Sequence, residues 1–567
     1  MSGAIFAVHA QHVVNKYNKR QDVVAVKEVT ENANGERVRN LRFFENYKRD
    51  FYVTKPKFQN HNEKKLEEDV RKCKRYQCTQ AALVEDVGRA LRKKSRSIKE
   101  LASSQYLYGT DLHVTSTILN KYREKFGPPK LMPDVAVMDY EWDVDTKVQK
   151  ASIGTYGFND DIHLTIREDK LAQNGLTVKQ YLTQIHDGFK QHVLPIVEAF
   201  YQSKQGKHQI KRNFKLHVDV VRLDIDVIRK LFEYTHKYKS DYLAFWNGIS
   251  DLTVIKEHCE RYTLDMADFM CDPNVPAKWR VTKVNEGPRG AKLDAKGNKK
   301  RIDYFNEWHT LTNIAHWQYV DIMHAYAASR MHKPNLPTYG MDFILTKDLG
   351  LGKLKLVPEV SDKDMGKWHI TMSNNHIVEY SLYATFDVIG PILLEDKQKE
   401  IAVQFYSIAD INPIADAKKN PRCLTTKYHF ELEKRGLVCA STSKTMVTEI
   451  DKQIYSGDDW IITLNSNYHD GIGVSVTEDA PSSGSLFVPN SYDQDLTNSY
   501  PMNQRMMNAS KTTTYTEMCS IKGMSEENGR MFGLNLSAGI QNAMLLCTEC
   551  LELPSLLDMI KENEETS

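Results

Sequence analysis

Apolar and polar positions along the chain follow two periods. At 134–139 (DVAVMD) a short apolar run ends in a carboxylate, which predicts a strand. Residues 151–165 predict a following strand. Between 177 and 202, Val178, Tyr181, Leu182, Ile185, Phe189, Val193 and Ile196 recur at helical spacing, with Thr177 as N-cap and Pro195 as a kink. Residues 214–221 alternate as a strand, 226–238 read as helix, and 242–246 as another strand. Strands alternating with helices predict an α/β domain. Residues 284–302, rich in Gly, Lys and Arg, predict a loop or a long hairpin tip. Beyond them, 310–331 and 377–403 read as helical and 405–485 as irregular.

Composition narrows the function classes. A 41% apolar content in 567 residues is enough for several cores and excludes wholesale disorder. Lys plus Arg number 76 against 74 Asp plus Glu, which excludes a histone-like tail but leaves local basic patches open. Residues 62–99 read as charged helix and loop. The densest basic run, 89–99, is either a solvated helix face or a phosphate contact. Nine irregularly spaced cysteines favour reduced thiols and an intracellular location. The lone CxxC of Cys547 and Cys550 reads as two helix-borne thiols, since a zinc site needs more ligands. No apolar run approaches the ~18 residues of a membrane span, and the N-terminus lacks the pattern of a signal peptide, so no membrane partner is expected.

Four acids, in three pairs of residues, stand out by context. Asp139 and Glu141 close an apolar strand, and positions i and i+2 share a face, so both can reach one cation. Asp143 shares that face if the strand continues, and Asp145 follows closely. Asn247 and Asp251 stand at a strand-to-helix junction. Tyr383 and Asp387 are four apart, on one helical face. Each pair alone is common in structural roles.

Together and in this order, D-x-E, N-x3-D and Y-x3-D resemble the three exonuclease motifs of the DEDDy proofreading nucleases. The apolar run ends at Asp139, as in that family, which selects Asp139 and Glu141 over the later acids. The resemblance implies an RNase H-like (ribonuclease H-like) 3′→5′ exonuclease domain. Asp139, Glu141, Asp251 and Asp387 would hold two Mg²⁺ or Mn²⁺ ions, Tyr383 would orient the attacking water, and Asn247 would contact substrate. The chemistry suits the residue types: hard divalent ions take oxygen ligands and stabilise charge on a scissile phosphate.

A fourth motif, Asp495-Leu496-Thr497-Asn498-Ser499-Tyr500-Pro501 followed by Asn508-Ala509-Ser510, resembles the first palm motif of family B DNA polymerases. Asn498-Ser499 and Met502 depart from the family pattern. The resemblance makes Asp495 a catalytic aspartate, the Leu496 carbonyl a further metal ligand, and Tyr500 and Asn508 substrate contacts. The overall order resembles the replicative polymerases of T-even and related phages. The segment 308–353 supports it: Asp321, Tyr326, Leu336, Tyr339, Leu349, Gly350, Gly352 and Lys353 fit the family's stretch between the second and third nuclease motifs.

Nothing after Pro501 matches the family's fingers motif, its Asp-Thr-Asp hairpin or its thumb. The expectation is therefore the N-terminal polypeptide of a split polymerase. A second chain would supply fingers, the remaining palm and thumb, and share two ions in the assembled polymerase site. The apolar stretch 533–560 suits either contact with that chain or palm core. Primer–template DNA and dNTP are the implied ligands, and a sliding clamp is a further partner the resemblance allows. The compartment would be the host cytoplasm if the gene is a phage's. The expected architecture is multidomain α/β: a mixed α+β N-terminal domain at 1–133, the exonuclease domain at 134–404, a return to the N-terminal domain or linker at 405–484, and a partial palm at 485–567.

Overall fold

A computed structural model describes residues 5–443 except 33–35, 63, 130, 144–148, 294–298, 331–335, 362–363 and 419. It also describes the strands Thr514–Cys519, Arg530–Asn535 and Leu545–Cys547. Asp145, Asp495, Leu496, Tyr500, Asn508 and Cys550 lie outside the described residues. The chain divides into two compact units, Met1–Ser441 and Thr442–Ser567.

The first unit is built on a central mixed six-stranded sheet. Its strands in chain order are β1 (Val135–Asp143), β2 (Lys150–Phe158), β3 (Asp161–Arg167), β4 (Lys215–Val221), β5 (Tyr242–Phe245) and β6 (Gln318–Asp321). Across the sheet they run β4-β3-β2-β1-β5-β6. β2 is antiparallel to both β1 and β3, whereas β5 is parallel to β1 and to β6. The run at 151–165 is thus a hairpin rather than one strand. It turns at Asn159, whose φ of 54° suits an asparagine in a two-residue loop.

Helices cover both faces. Val137 and Ile153 face one core with α1 (Val178–Gly188), α4 (Met341–Leu349), α5 (Met365–Asn375) and α6 (Ile377–Gln398). Ala136, Met138 and Tyr140 face the other, with α2 (Asp224–Tyr238) and α3 (Ile249–Arg261). The period of two in β1 therefore sends Asp139 and Glu141 toward the α6 side and Trp142 toward α3. Thr177 caps α1 in a reciprocal box with Gln180. The helical pattern continues through a π-helical turn, Phe189–Val193, and Pro195 stands in the first turn of the next helix, Leu194–Gln202.

α6 is long and apolar enough to cross a bilayer, but 89% of its apolar window is packed inside the structure. It lies close on β2 because Gly157 offers no side chain. A Cβ there would stand 2.5 Å from Val388 Cγ1 and 2.7 Å from Ile392 Cδ1.

Three other expectations change. Residues 310–331 are not one helix: Thr310–Thr312 and β6 are strands, followed by the helix Ile322–Ser329. These residues are buried on all sides, and a continuous apolar run looks alike in a buried strand and a buried helix. The stretch at 405–485 contains the helix Asn420–Lys434. The charged segment 62–99 contains the strand Cys73–Cys78, whose middle residues are solvated. At 284–302 the chain forms an antiparallel hairpin, Ala291–Leu293 with Lys299–Arg301.

The N-terminal strands Ile5–Val14, Asp22–Glu31 and Arg37–Glu45 form an antiparallel sheet. It is tied to the central sheet by the fully buried Lys27, whose Nζ donates to the carbonyls of Lys239 (2.8 Å), Ser240 (3.1 Å) and His316 (2.9 Å) and pairs with Asp241 at 3.1 Å. Leu437–Cys439 returns to this region and pairs with Glu67–Asp69. In the second unit the three described strands form one antiparallel sheet. Cys547 ends one of those strands, so it is not helix-borne.

Candidate active site

β1 crosses the middle of the sheet and delivers Asp139 and Glu141 beneath α6, where Asp387 points back. One carboxylate oxygen from each of the three lies within 4.8 Å of the others. Glu141 and Asp387 are buried and Asp139 is half-buried. Three carboxylates this close repel one another, and each needs a partner or a proton.

Two sets of partners hold them. Lys353 Nζ donates to Asp387 Oδ2 at 2.5 Å and to Tyr383 Oη at 2.7 Å. Tyr380 Oη donates to Glu141 Oε2 at 2.7 Å, and His369 Nδ1 lies 2.7 Å from Tyr380 Oη and 3.3 Å from the same carboxylate oxygen. Trp368 packs against Tyr383 with ring centroids 4.8 Å apart. Lys353 reaches the site because α4 stops at Gly350, where φ is +72°, and Asp342 Oδ1 accepts the Lys353 backbone N–H at 2.6 Å.

Asp251 stands outside the close group of three, in the first turn of α3. Its Oδ1 accepts a hydrogen bond from Trp142 Nε1 at 3.0 Å. The β5–α3 junction is set by Asp321, which accepts the backbone N–H of Asn247 (3.1 Å) and Gly248 (2.9 Å) and caps the helix Ile322–Ser329. Asn247 is held at φ +58° and its side chain is exposed, with Nδ2 3.4 Å from Ser250 Oγ.

Asp143 does not join the group. The ladder shifts register between Glu141 and Trp142, and Asp143 is neutralised by Arg167 at 3.1 Å and Lys170 at 2.7 Å.

Electrostatics follow from this crowding. Burial pushes Asp387 up to about 6, opposed by Lys353 and reinforced by Glu141. Burial pushes Asp251 up to about 7, opposed by the Trp142 hydrogen bond. Asp139 is raised well above the carboxylate range by burial and then by Glu141, Asp251 and Asp387. Burial and the neighbouring carboxylates keep the Tyr383 hydroxyl protonated. Burial opposes the charge on Lys353, but Asp387 outweighs it and raises the lysine.

The residues fit a hard divalent cation. Asp387 Oδ1 is buried and has no hydrogen-bond partner, a costly state for a carboxylate oxygen unless a cation meets it. The donor set is all oxygen, which suits Mg²⁺ or Mn²⁺.

In the sequence, Lys353 is marked only by its place in the segment 308–353. The signal visible in the sequence is Gly350, a residue type that ends a helix and lets the chain turn toward the site. No spacing in the sequence marks Trp142, Tyr380 or His369 as site residues. No protein-family model matches this chain, and comparison with curated proteins finds no match.

Proposed function

We propose that this chain is a metal-dependent 3′→5′ DNA exonuclease carried on the N-terminal part of a family B-type DNA polymerase. The convergence of Asp139, Glu141 and Asp387 around an unpartnered carboxylate oxygen, beside Lys353 and Tyr383, carries the nuclease part. The β3-β2-β1-β5-β6 order, with β2 reversed and helices on both faces, supports an RNase H-like fold for this region.

Asp139, Glu141 and Asp387 would hold one cation, with Asp251 contributing toward a second. Such ions lower the pKa of a bound water and offset charge on the scissile phosphate. The chain's own residues supply the rest. Tyr383 accepts a hydrogen bond from Lys353 and is itself hydrogen-bonded to the Asp387 carboxylate, which holds its hydroxyl beside the cation position, where it would orient a water. Lys353 adds a fixed positive charge beside the place where negative charge builds on phosphate oxygens. Trp368 and Tyr380 lock the Tyr383 ring by packing on it.

The polymerase part rests on the sequence from Asp495 to Tyr500 and on Asn508. In that reading Asp495 and the Leu496 carbonyl join the family's further palm aspartates around two shared ions. Tyr500 and Asn508 would contact the incoming dNTP on primer–template DNA.

The test uses the purified full chain with a mismatched primer–template, Mg²⁺ and all four dNTPs. Shortening of the primer, lost in Asp387→Asn, is the expected result. An unchanged primer at all Mg²⁺ and Mn²⁺ concentrations would refute the nuclease assignment.

A further inference from the structure

The strands Arg49–Thr54 and Cys73–Cys78 run antiparallel, with Phe51 opposite Tyr76 and Val53 opposite Lys74, so these four side chains share one face. A cavity of about 1130 Å³ opens between that face, the C-terminal end of the helix Leu83–Leu91 and Tyr106. No residue of the carboxylate centre lines it. Its wall is aromatic and cationic. Tyr76 is half-buried and stacks on the buried Phe51, with centroids 5.2 Å apart and planes 10° apart. The Tyr106 hydroxyl donates to the His61 carbonyl at 3.0 Å, which fixes a second half-buried ring. Five cationic side chains and one carboxylate, Asp86, line the cavity, and Arg89 already takes Asp86 at 3.1 Å. Lys74, Arg92 and Lys93 are exposed, and no carboxylate pairs with them among the described residues.

The backbone explains why two of those cations stand at the cavity. The helix ends on Arg92 at φ +54°, and the Lys93 N–H turns back to the Gly88 carbonyl at 2.8 Å. A Cβ at Gly88 would stand 2.7 Å from the Lys93 carbonyl oxygen, so the turn needs that glycine. Glycine is also the favoured residue at the left-handed position that Arg92 fills. The arginine accepts backbone strain there and sets a cation on the wall.

We propose that this cavity binds single-stranded DNA, with bases against Tyr76 and Tyr106 and the adjoining phosphates on Lys74, Arg92 and Lys93. The proposal takes from the exonuclease reading only that the chain works on DNA. Unpaired cations attract phosphate, and fixed aromatic rings stack on bases of any sequence. A duplex keeps its base faces inside its own stack, so an aromatic wall selects a single strand. The volume exceeds the roughly 300–1,000 Å³ of a small-molecule site, which favours a segment of strand over a lone nucleotide.

The test is fluorescence anisotropy of labelled (dT)12 with the full-length chain in EDTA, so that binding is read without cleavage. One variant combines Arg92→Gly with Lys93→Gln, and another is Tyr76→Leu. Glycine suits the backbone at 92, so the first removes two charges and keeps the turn. It should weaken binding about tenfold and lower the slope of log affinity against log salt by about 1.4, the share of two phosphates. Tyr76→Leu should weaken binding about fivefold or more and leave the slope in place. A (dT)12 carrying 4-thiothymidine should cross-link to peptides holding Tyr76 or Tyr106, which locates the strand in the wild-type protein.

Unchanged affinity and slope in the charge variant, or cross-links that omit both tyrosines, would overturn the proposal. Inorganic polyphosphate binding as tightly as (dT)12 would reduce the cavity to its charge and overturn it as well. Displacement of (dT)12 by dTMP at equal nucleotide concentration would make the cavity a nucleotide pocket, against the proposal. None of these outcomes touches the nuclease assignment, which cleavage in Mg²⁺ decides.

Discussion

Lys353 is the cation that the clustered carboxylates meet. It contacts Asp387 and Tyr383 together, so its loss acts on both. Lys353→Met should cut exonuclease turnover by about 10²-fold or more, because a preorganised charge is lost beside the reacting phosphate. The same change removes the charge that holds Asp387 down, so the acid limb of the pH–rate profile should move to higher pH. A profile measured at fixed Mg²⁺ checks this, and an unmoved limb would contradict the role given to Lys353.

The carboxylates also tie stability to pH in a definite direction. Asp251 and Asp387 are raised to about 7 and about 6 in the fold, above an ordinary aspartate. Between the unfolded and the folded pKa the native state binds more protons, so stability falls as pH rises across that window. In EDTA the melting temperature should drop between pH 5 and 7.5, and Asp251→Asn should flatten the drop. Saturating Mn²⁺ should reverse it by binding the native state. A metal-free protein whose melting temperature rises over that range would contradict the picture of mutually repelling buried carboxylates.

Among elements, α6 decides the site because it carries both Tyr383 and Asp387 and rests on Gly157. Gly157→Ala should overpack that contact, destabilise the protein by about 1–3 kcal/mol and misplace both side chains. Denaturant unfolding together with an activity assay checks this. Much of this level was legible from sequence. The period-two run before Asp139 placed Asp139 and Glu141 on one face, and the 3.6 period of 377–403 placed Tyr383 beside Asp387. What was hidden has physical causes. The bulge that retires Asp143 into an ion pair with Arg167 and Lys170 depends on partners far along the chain. The hydrogen bond from Trp142 to Asp251 joins two elements that no local pattern links. The buried run 310–331 lacked the polar face that distinguishes a strand from a helix.

At the scale of the whole first unit, the N-terminal sheet and the central sheet share a buried charge. Lys27 is fully enclosed and paired with Asp241, and burial lowers it to about 8. Lys27→Met leaves Asp241 buried without its cation and should cost about 3–5 kcal/mol, whereas Lys27→Met with Asp241→Asn should recover much of that loss. Thermal unfolding of the single and double variants measures the coupling. Equal destabilisation by both would mean that the carbonyl contacts of Lys27, not the ion pair, hold the two sheets together.

The central claim is that Asp139, Glu141 and Asp387 form a cation-dependent centre that removes nucleotides from a DNA 3′ end. The most direct measurement is a single-turnover time course on a 3′-mismatched primer–template, with and without Mg²⁺, for wild type and Asp387→Asn. Stepwise shortening from the 3′ end that needs Mg²⁺ and falls at least about 10²-fold in the variant is the predicted result. Shortening that proceeds equally in EDTA, or that survives Asp387→Asn, would contradict it.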